Sequence, residues 1–137
     1  MTIEILLFIL KNIISSKGSL LYCWYMGNKI NSRNKGAKGE RELAKYLSEK
    51  GYPSRRGQQF SGGKDSPDVV SSLPFHIECK RVERLKIYDS IKQAIRDSQE
   101  SEKMPLVVHR KNREEWLAIL KLDDLLTLMD EIIDTNL

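Results

Sequence analysis

The chain has 137 residues, enough for one domain built on one hydrophobic core. Hydrophobic residues are 40% and charged residues 31% of it, a charge-rich globular balance with no repeats or low-complexity segments. Its two cysteines do not amount to a disulfide framework, which implies a reducing compartment, and with two histidines at unrelated positions they argue against a structural zinc site.

The net charge of +4 is unevenly spread. Residues 29–64 carry ten Lys or Arg against three Glu, whereas residues 114–137 carry seven acids against Lys121 alone. A basic segment of that density suits a polyanion, of which nucleic acid is the commonest, although a solvated basic face would read the same way.

Residues 1–27 differ from the rest. The apolar run Ile3–Leu10 is too short to span a bilayer, and Glu4 with no preceding basic region rules out a signal peptide. Met26 offers a second start, so this extension is expected to be a misassigned start or a poorly ordered arm, with the domain proper occupying 28–137. Candidate N-caps at Asn31–Asn34 and a C-cap glycine at Gly51 bracket a helix. Its apolar stripe contains Glu40, Leu43, Ala44 and Leu47. Glu40 is thus a carboxylate on an inward face, which requires a partner.

Tyr52–Arg56 reads as an extended segment, and Gly57–Pro67 as a loop by its glycines and serines. Asp68–Val70 and Phe75–Lys80 are predicted as neighbouring strands around a Ser71–Pro74 turn. Alternation in the second places Phe75, Ile77 and Cys79 on one face, with His76, Glu78 and Lys80 on the other. A second amphipathic helix carries Tyr88, Ile91, Ala94, Ile95 and Ser98. Leu106–Val108 and Trp116–Leu120 are predicted strands joined by a hairpin connection at Arg110–Glu115. A last helix carries Leu122, Leu125, Leu126, Met129, Ile132 and Ile133 on one stripe, for packing on the sheet or on a partner subunit. Helix, three strands, helix, two strands, helix implies an α/β sandwich around a mixed sheet. His76 is expected to be an edge residue, His109 a strand end and Trp116 a core filler.

The chemistry gathers at Pro67-Asp68 and at Glu78-x-Lys80. Phosphodiester hydrolysis needs a nucleophilic water, charge stabilisation at phosphorus and help for the leaving oxygen; a divalent ion on hard oxygen ligands supplies all three. Asp68, Glu78 and the backbone carbonyl of Cys79 can share one Mg²⁺ or Mn²⁺, Glu40 adds a third carboxylate, and Lys80 can orient the water. Lys29, Arg33, Lys35 and Lys38 ahead of the first helix, and Arg81, Arg84 and Lys86 past the motif strand, can grip phosphate.

Lys35–Leu43, Gly51-Tyr52, Arg55-Arg56, Phe60-Ser61-Gly62, Pro67-Asp68 and Ile77–Lys80 together resemble the archaeal-type Holliday-junction resolvases and small phage-encoded PD-(D/E)xK endonucleases. The resemblance covers about residues 33–95. It implies a restriction-endonuclease-like three-layer sandwich with a central mixed five-stranded sheet flanked by helices. It further implies a homodimeric enzyme with one or two Mg²⁺ (or Mn²⁺) per site, cutting four-way DNA junctions to leave 5′-phosphates, without a membrane role. Its place would be the cytoplasm, the host's if the chain is phage-encoded. Glu40, Asp68, Glu78 and Lys80 match the catalytic set and Ser61 the loop serine. Arg41 with Arg55 or Arg56 match the DNA-contacting arginines; Lys35, Lys38, Lys64 and Arg81, read from the basic segments and not from the resemblance, are further candidate DNA contacts. Tyr88 and Gln93 resemble helix positions that follow the motif in related nucleases. The Ser61–Asp68 loop is longer than the archaeal pattern and the last helix is acidic. A restriction-type endonuclease on duplex or single-stranded DNA, and an inactive DNA-binding module of the same fold, are the alternatives.

Overall fold

The computed structural model describes residues 32–57 and 66–136. The expected extension at residues 1–27 therefore lies outside the described residues, as do Ser61 and Lys64. Helix α1 runs Ser32–Glu49 and β1 Ser54–Arg56, followed by β2 Val69–Ser71 and β3 Phe75–Lys80. Then come α2 Ile87–Asp97, β4 Met104–His109, β5 Leu117–Ile119 and α3 Leu122–Thr135. The sheet order is β1-β2-β3-β4-β5. Only the β3–β4 pair is parallel, and α2 is the crossover that joins it. The sheet is therefore mixed, as expected.

Helix α1 ends where its glycine requires. Gly51 has φ +96°, its N–H reaches the Ser48 carbonyl at 3.0 Å, and the Tyr52 N–H reaches that of Leu47 at 3.0 Å. That pair of bonds satisfies two carbonyls which the helix end would leave open. The apolar stripe of α1 then packs on one sheet face: Leu43 and Ala44 join Val69, Ile77, Cys79, Leu106 and Val108 in the core. Trp116 and Leu120 pack against this core only partly buried, so Trp116 lines its margin.

The other face is also covered. In the parallel register Glu78 lies beside Val107, and Lys80 beside His109. Val107 and Ala94 of α2 are both fully buried. With helices on both faces the domain is the three-layer sandwich expected. The cover changes one expectation: His76 is only 1% exposed, so it is an interior residue and not an edge one. Its Nδ1 lies 3.5 Å from the Ser101 hydroxyl. His109 is buried too, with Nε2 2.8 Å from the Val82 carbonyl oxygen.

Helix α3 departs from the rest. Its stripe forms as predicted, yet none of its residues is buried, and Leu122, Leu126, Ile132 and Ile133 are each more than half exposed. Of the two packings expected for this helix, the one against its own sheet is not made by any buried side chain. Among the described residues no helix is long and apolar enough to cross a membrane.

Candidate active site

Three chain segments meet at the ends of β1, β2 and β3. The first contact is made by backbone. Gly57, just past β1, donates its N–H to the Asp68 carbonyl at 2.8 Å, and Asp68 N–H donates to Ile77 at 3.0 Å. A Cβ on Gly57 would stand 2.0 Å from the Pro67 carbonyl oxygen, so only glycine lets these strands close here. Gly57→Ala is expected to cost about 2–4 kcal/mol of stability, since backbone must move on both sides. Urea denaturation measures this; a change below about 0.5 kcal/mol would contradict it.

Asp68 is held in turn by β3. Its Oδ2 accepts the Cys79 N–H at 2.8 Å. Burial and the nearby Glu78 carboxylate raise its pKa from 3.8 to about 7; Glu40 adds to the rise, while the Cys79 N–H and Lys80 oppose it. Cys79 carries its thiol on the α1 side, where burial and the same carboxylates push its pKa far up, so it remains a packed, free thiol.

Glu78 is only 5% exposed and its Oε1 is fully engaged. Lys80 Nζ donates to it at 2.6 Å and Gln93 Nε2 at 2.7 Å. Lys80 Nζ also donates to Gln93 Oε1 at 3.0 Å, closing a triangle that fixes the amide orientation. An ammonium has three donors, so one stays available on Lys80 beyond this triangle. Gln93 reaches the site because α2 covers the Glu78 face; helix position relative to the motif was its only signal in the sequence. Tyr88, one turn earlier, is 82% exposed and takes no part in this network.

Glu40 arrives from the opposite side of the sheet, on the α1 stripe. Its side chain is 12% exposed, and its Oε2 accepts from Arg56 Nε at the end of β1. The inward carboxylate thus has the partner its position demanded. Glu40 and Glu78 thus come from elements on opposite faces of the sheet, and the charge of each acts on the Asp68 carboxyl. Among the described residues no three His, Cys, Asp or Glu side chains stand grouped to hold an ion.

The expected DNA-contacting residues divide into two sets. Arg41 and Arg55 are exposed and Lys38 is 74% exposed, in a weak pair with Glu42 at 4.0 Å. Arg81 is 15% exposed and bound: its Nε donates to Glu42 at 3.2 Å and its Nη1 to Asn112 at 2.8 Å. It braces α1 against the β4–β5 connection, and Lys35 lies 3.8 Å from Glu83 nearby. Arg81 is therefore placed as a brace and not as a free arm, because a neighbouring acid and amide capture its guanidinium.

The donor set suits a divalent cation. It is made of hard carboxylate oxygens. Asp68 Oδ1 and Glu78 Oε2 are left open by the hydrogen bonds above, and Asp68's pKa is raised first by burial and then by the neighbouring Glu78 charge.

The family described as "Phage putative PDDEXK endonuclease" matches residues 31–136. No curated protein matches the sequence. Among solved structures, the chain is similar to a Holliday junction resolvase from Archaeoglobus fulgidus, an archaeal hyperthermophile. The identity is 22% and the TM-score 0.47, over 61% of this chain and 74% of that one. A match spanning the whole described domain places the protein: it belongs to the phage PD-(D/E)xK endonuclease family and has the mixed-sheet fold of those nucleases.

Proposed function

We propose that the chain is a divalent-metal-dependent DNA endonuclease acting on four-way junctions as a homodimer. The observation that carries the hydrolytic part is the pairing of Asp68 on the Cys79 N–H with Glu78 locked to Lys80 and Gln93. Such fixed carboxylates in a buried setting are costly unless they serve chemistry.

In this reading Asp68 and Glu78 hold a Mg²⁺ or Mn²⁺ ion, one or two per site, with the Cys79 carbonyl and Glu40 as further ligands. Bound there, the cation would supply Lewis acidity and lower the pKa of a ligating water. The residues do the rest. Lys80, oriented by Glu78 and Gln93, directs its remaining N–H toward the attacking water or a phosphate oxygen. The exposed Arg41, Arg55 and Lys38 bind backbone phosphates on the approach surface. Ser61 and Lys64, which lie between β1 and β2 in the sequence, are assigned to the same substrate. Complete Glu40, Asp68, Glu78 and Lys80 speak against an inactive binding module.

Junction preference rests on the motif order shared with the archaeal resolvases. Labelled four-way junction, duplex, flap and single strand, each with Mg²⁺ and with EDTA, test it. Symmetric nicks near the crossover of the junction alone support the reading. Equal cutting of linear duplex replaces it with a restriction-type endonuclease.

Helix α3 supports the dimer. Its six exposed apolar side chains present on the order of 600 Å² per copy, at the upper end of ordinary surface patches and approaching one side of a standard interface. Two copies pairing antiparallel along this stripe would bring Lys121 of one toward Asp134 of the other. Met129→Glu is expected to give a folded monomer in sedimentation equilibrium where the unmodified chain is a dimer. A monomeric unmodified chain, or a variant that stays dimeric, would contradict this surface.

A further inference from the structure

The sequence pattern offers Arg56 as a phosphate contact, yet the structure gives its guanidinium to Glu40. Three features fix that pairing. Arg56 is the last residue of the edge strand β1 and stands opposite Val69, the residue after Asp68. Gly57 ties the same strand end to the Asp68 carbonyl. Glu40 is nearly buried on α1, while Arg56 keeps 41% of its side chain in solvent. The acid is therefore held in place and the base remains reachable from outside.

A guanidinium on Glu40 has three consequences. It neutralises the carboxylate, and it sets a positive charge beside the place where Asp68 and Glu40 would hold a cation. It also spends an arginine at the end of the basic 29–64 segment that could bind a phosphate. A DNA backbone offers many phosphates and releases counter-ions when arginines bind them, so it competes for Arg56 well. We propose that Arg56 is a positioning residue coupling substrate to metal. It occupies Glu40 in the free protein, and DNA phosphate draws it off, leaving Glu40 to the ion. Thermodynamic reciprocity then makes metal and DNA each tighten the other. The contrasting arrangement is Arg56 as a permanent outer partner that orients Glu40 for the ion.

The two differ in sign. For Arg56→Gln without DNA, Mn²⁺ binding followed by the spin resonance of free Mn²⁺ is expected to tighten about fivefold or more. Arg56→Lys should stay near the unmodified chain, and Arg56→Gln should have no effect on a Glu40→Gln background. Unchanged binding, or the roughly tenfold weakening typical of losing an outer partner, overturns the proposal. A second measurement does not depend on that variant. In EDTA, Glu40→Gln frees Arg56 and should tighten binding of a labelled duplex by fluorescence anisotropy several-fold beyond Glu49→Gln, an exposed acid on the same helix. An equal effect of the two overturns it. The inference rests on the metal-nuclease reading but fails separately from it. Lack of cleavage by the unmodified chain removes that reading; weaker Mn²⁺ binding by Arg56→Gln, with cleavage intact, removes only this one.

Discussion

Glu78→Gln is expected to lower cleavage by about a thousandfold or more while leaving DNA binding in place. The substitution is nearly isosteric. Its amide oxygen can still take the Lys80 ammonium, and only the charge and one ion-holding oxygen are lost. Glu78 is bonded by Lys80 and Gln93 and by none of the exposed arginines, so their phosphate contacts should persist. Lys80→Ala should reduce turnover to a similar degree, with a further cost. The Glu78 side chain, 6% exposed, would keep only Gln93 at Oε1, and an uncompensated buried carboxylate costs about 3–5 kcal/mol. That variant therefore needs a folding check by circular dichroism, whereas Glu78→Gln does not depend on one. Near-normal turnover in folded protein for either variant would remove the role assigned to the pair.

Asp68→Asn should abolish cleavage and yet stabilise the metal-free protein at alkaline pH. Folding raises the Asp68 pKa from 3.8 to about 7, so between those values the folded state holds a proton that the unfolded chain has released. The stability linked to that proton is fully present below about pH 4 and is lost as pH rises through 7. The variant carries no such charge, and its amide oxygen can keep the Cys79 N–H bond. In EDTA the advantage of Asp68→Asn should thus be small at pH 4 and reach about 2–3 kcal/mol at pH 8, allowing for solvent screening. Urea denaturation at the two pH values gives the comparison. Added Mg²⁺ should reverse the order by stabilising the unmodified chain alone. An advantage that is constant with pH would show that Asp68 is not the strained carboxylate.

The period-two pattern of Phe75–Lys80 was enough to place Glu78 and Lys80 on one face, since a strand admits only two faces. The 3.6-residue stripe of α1 likewise put Glu40 inward. Local periodicity determines which side a residue faces, and those elements formed with the expected faces. Partners are a different matter, because they come from distant segments. Nothing near Arg81 in sequence points to Glu42 or Asn112, and nothing near Arg56 points to Glu40. His76 was misplaced for the same reason: alternation located it opposite the core without revealing that α2 covers that side. The α3 stripe was legible, but a stripe cannot say what it packs on. Ser61 and Lys64 fall outside the described residues; the role of Ser61 rests on the motif resemblance and that of Lys64 on the basic character of its segment.

The most direct test of the account is one cleavage assay on an end-labelled four-way junction. It uses the unmodified chain and Glu78→Gln, each with Mg²⁺ and with EDTA. Paired nicks carrying 5′-phosphates are expected from the unmodified chain with Mg²⁺, and none in the other three reactions. Cleavage that persists in EDTA, or in Glu78→Gln at a comparable rate, would contradict it.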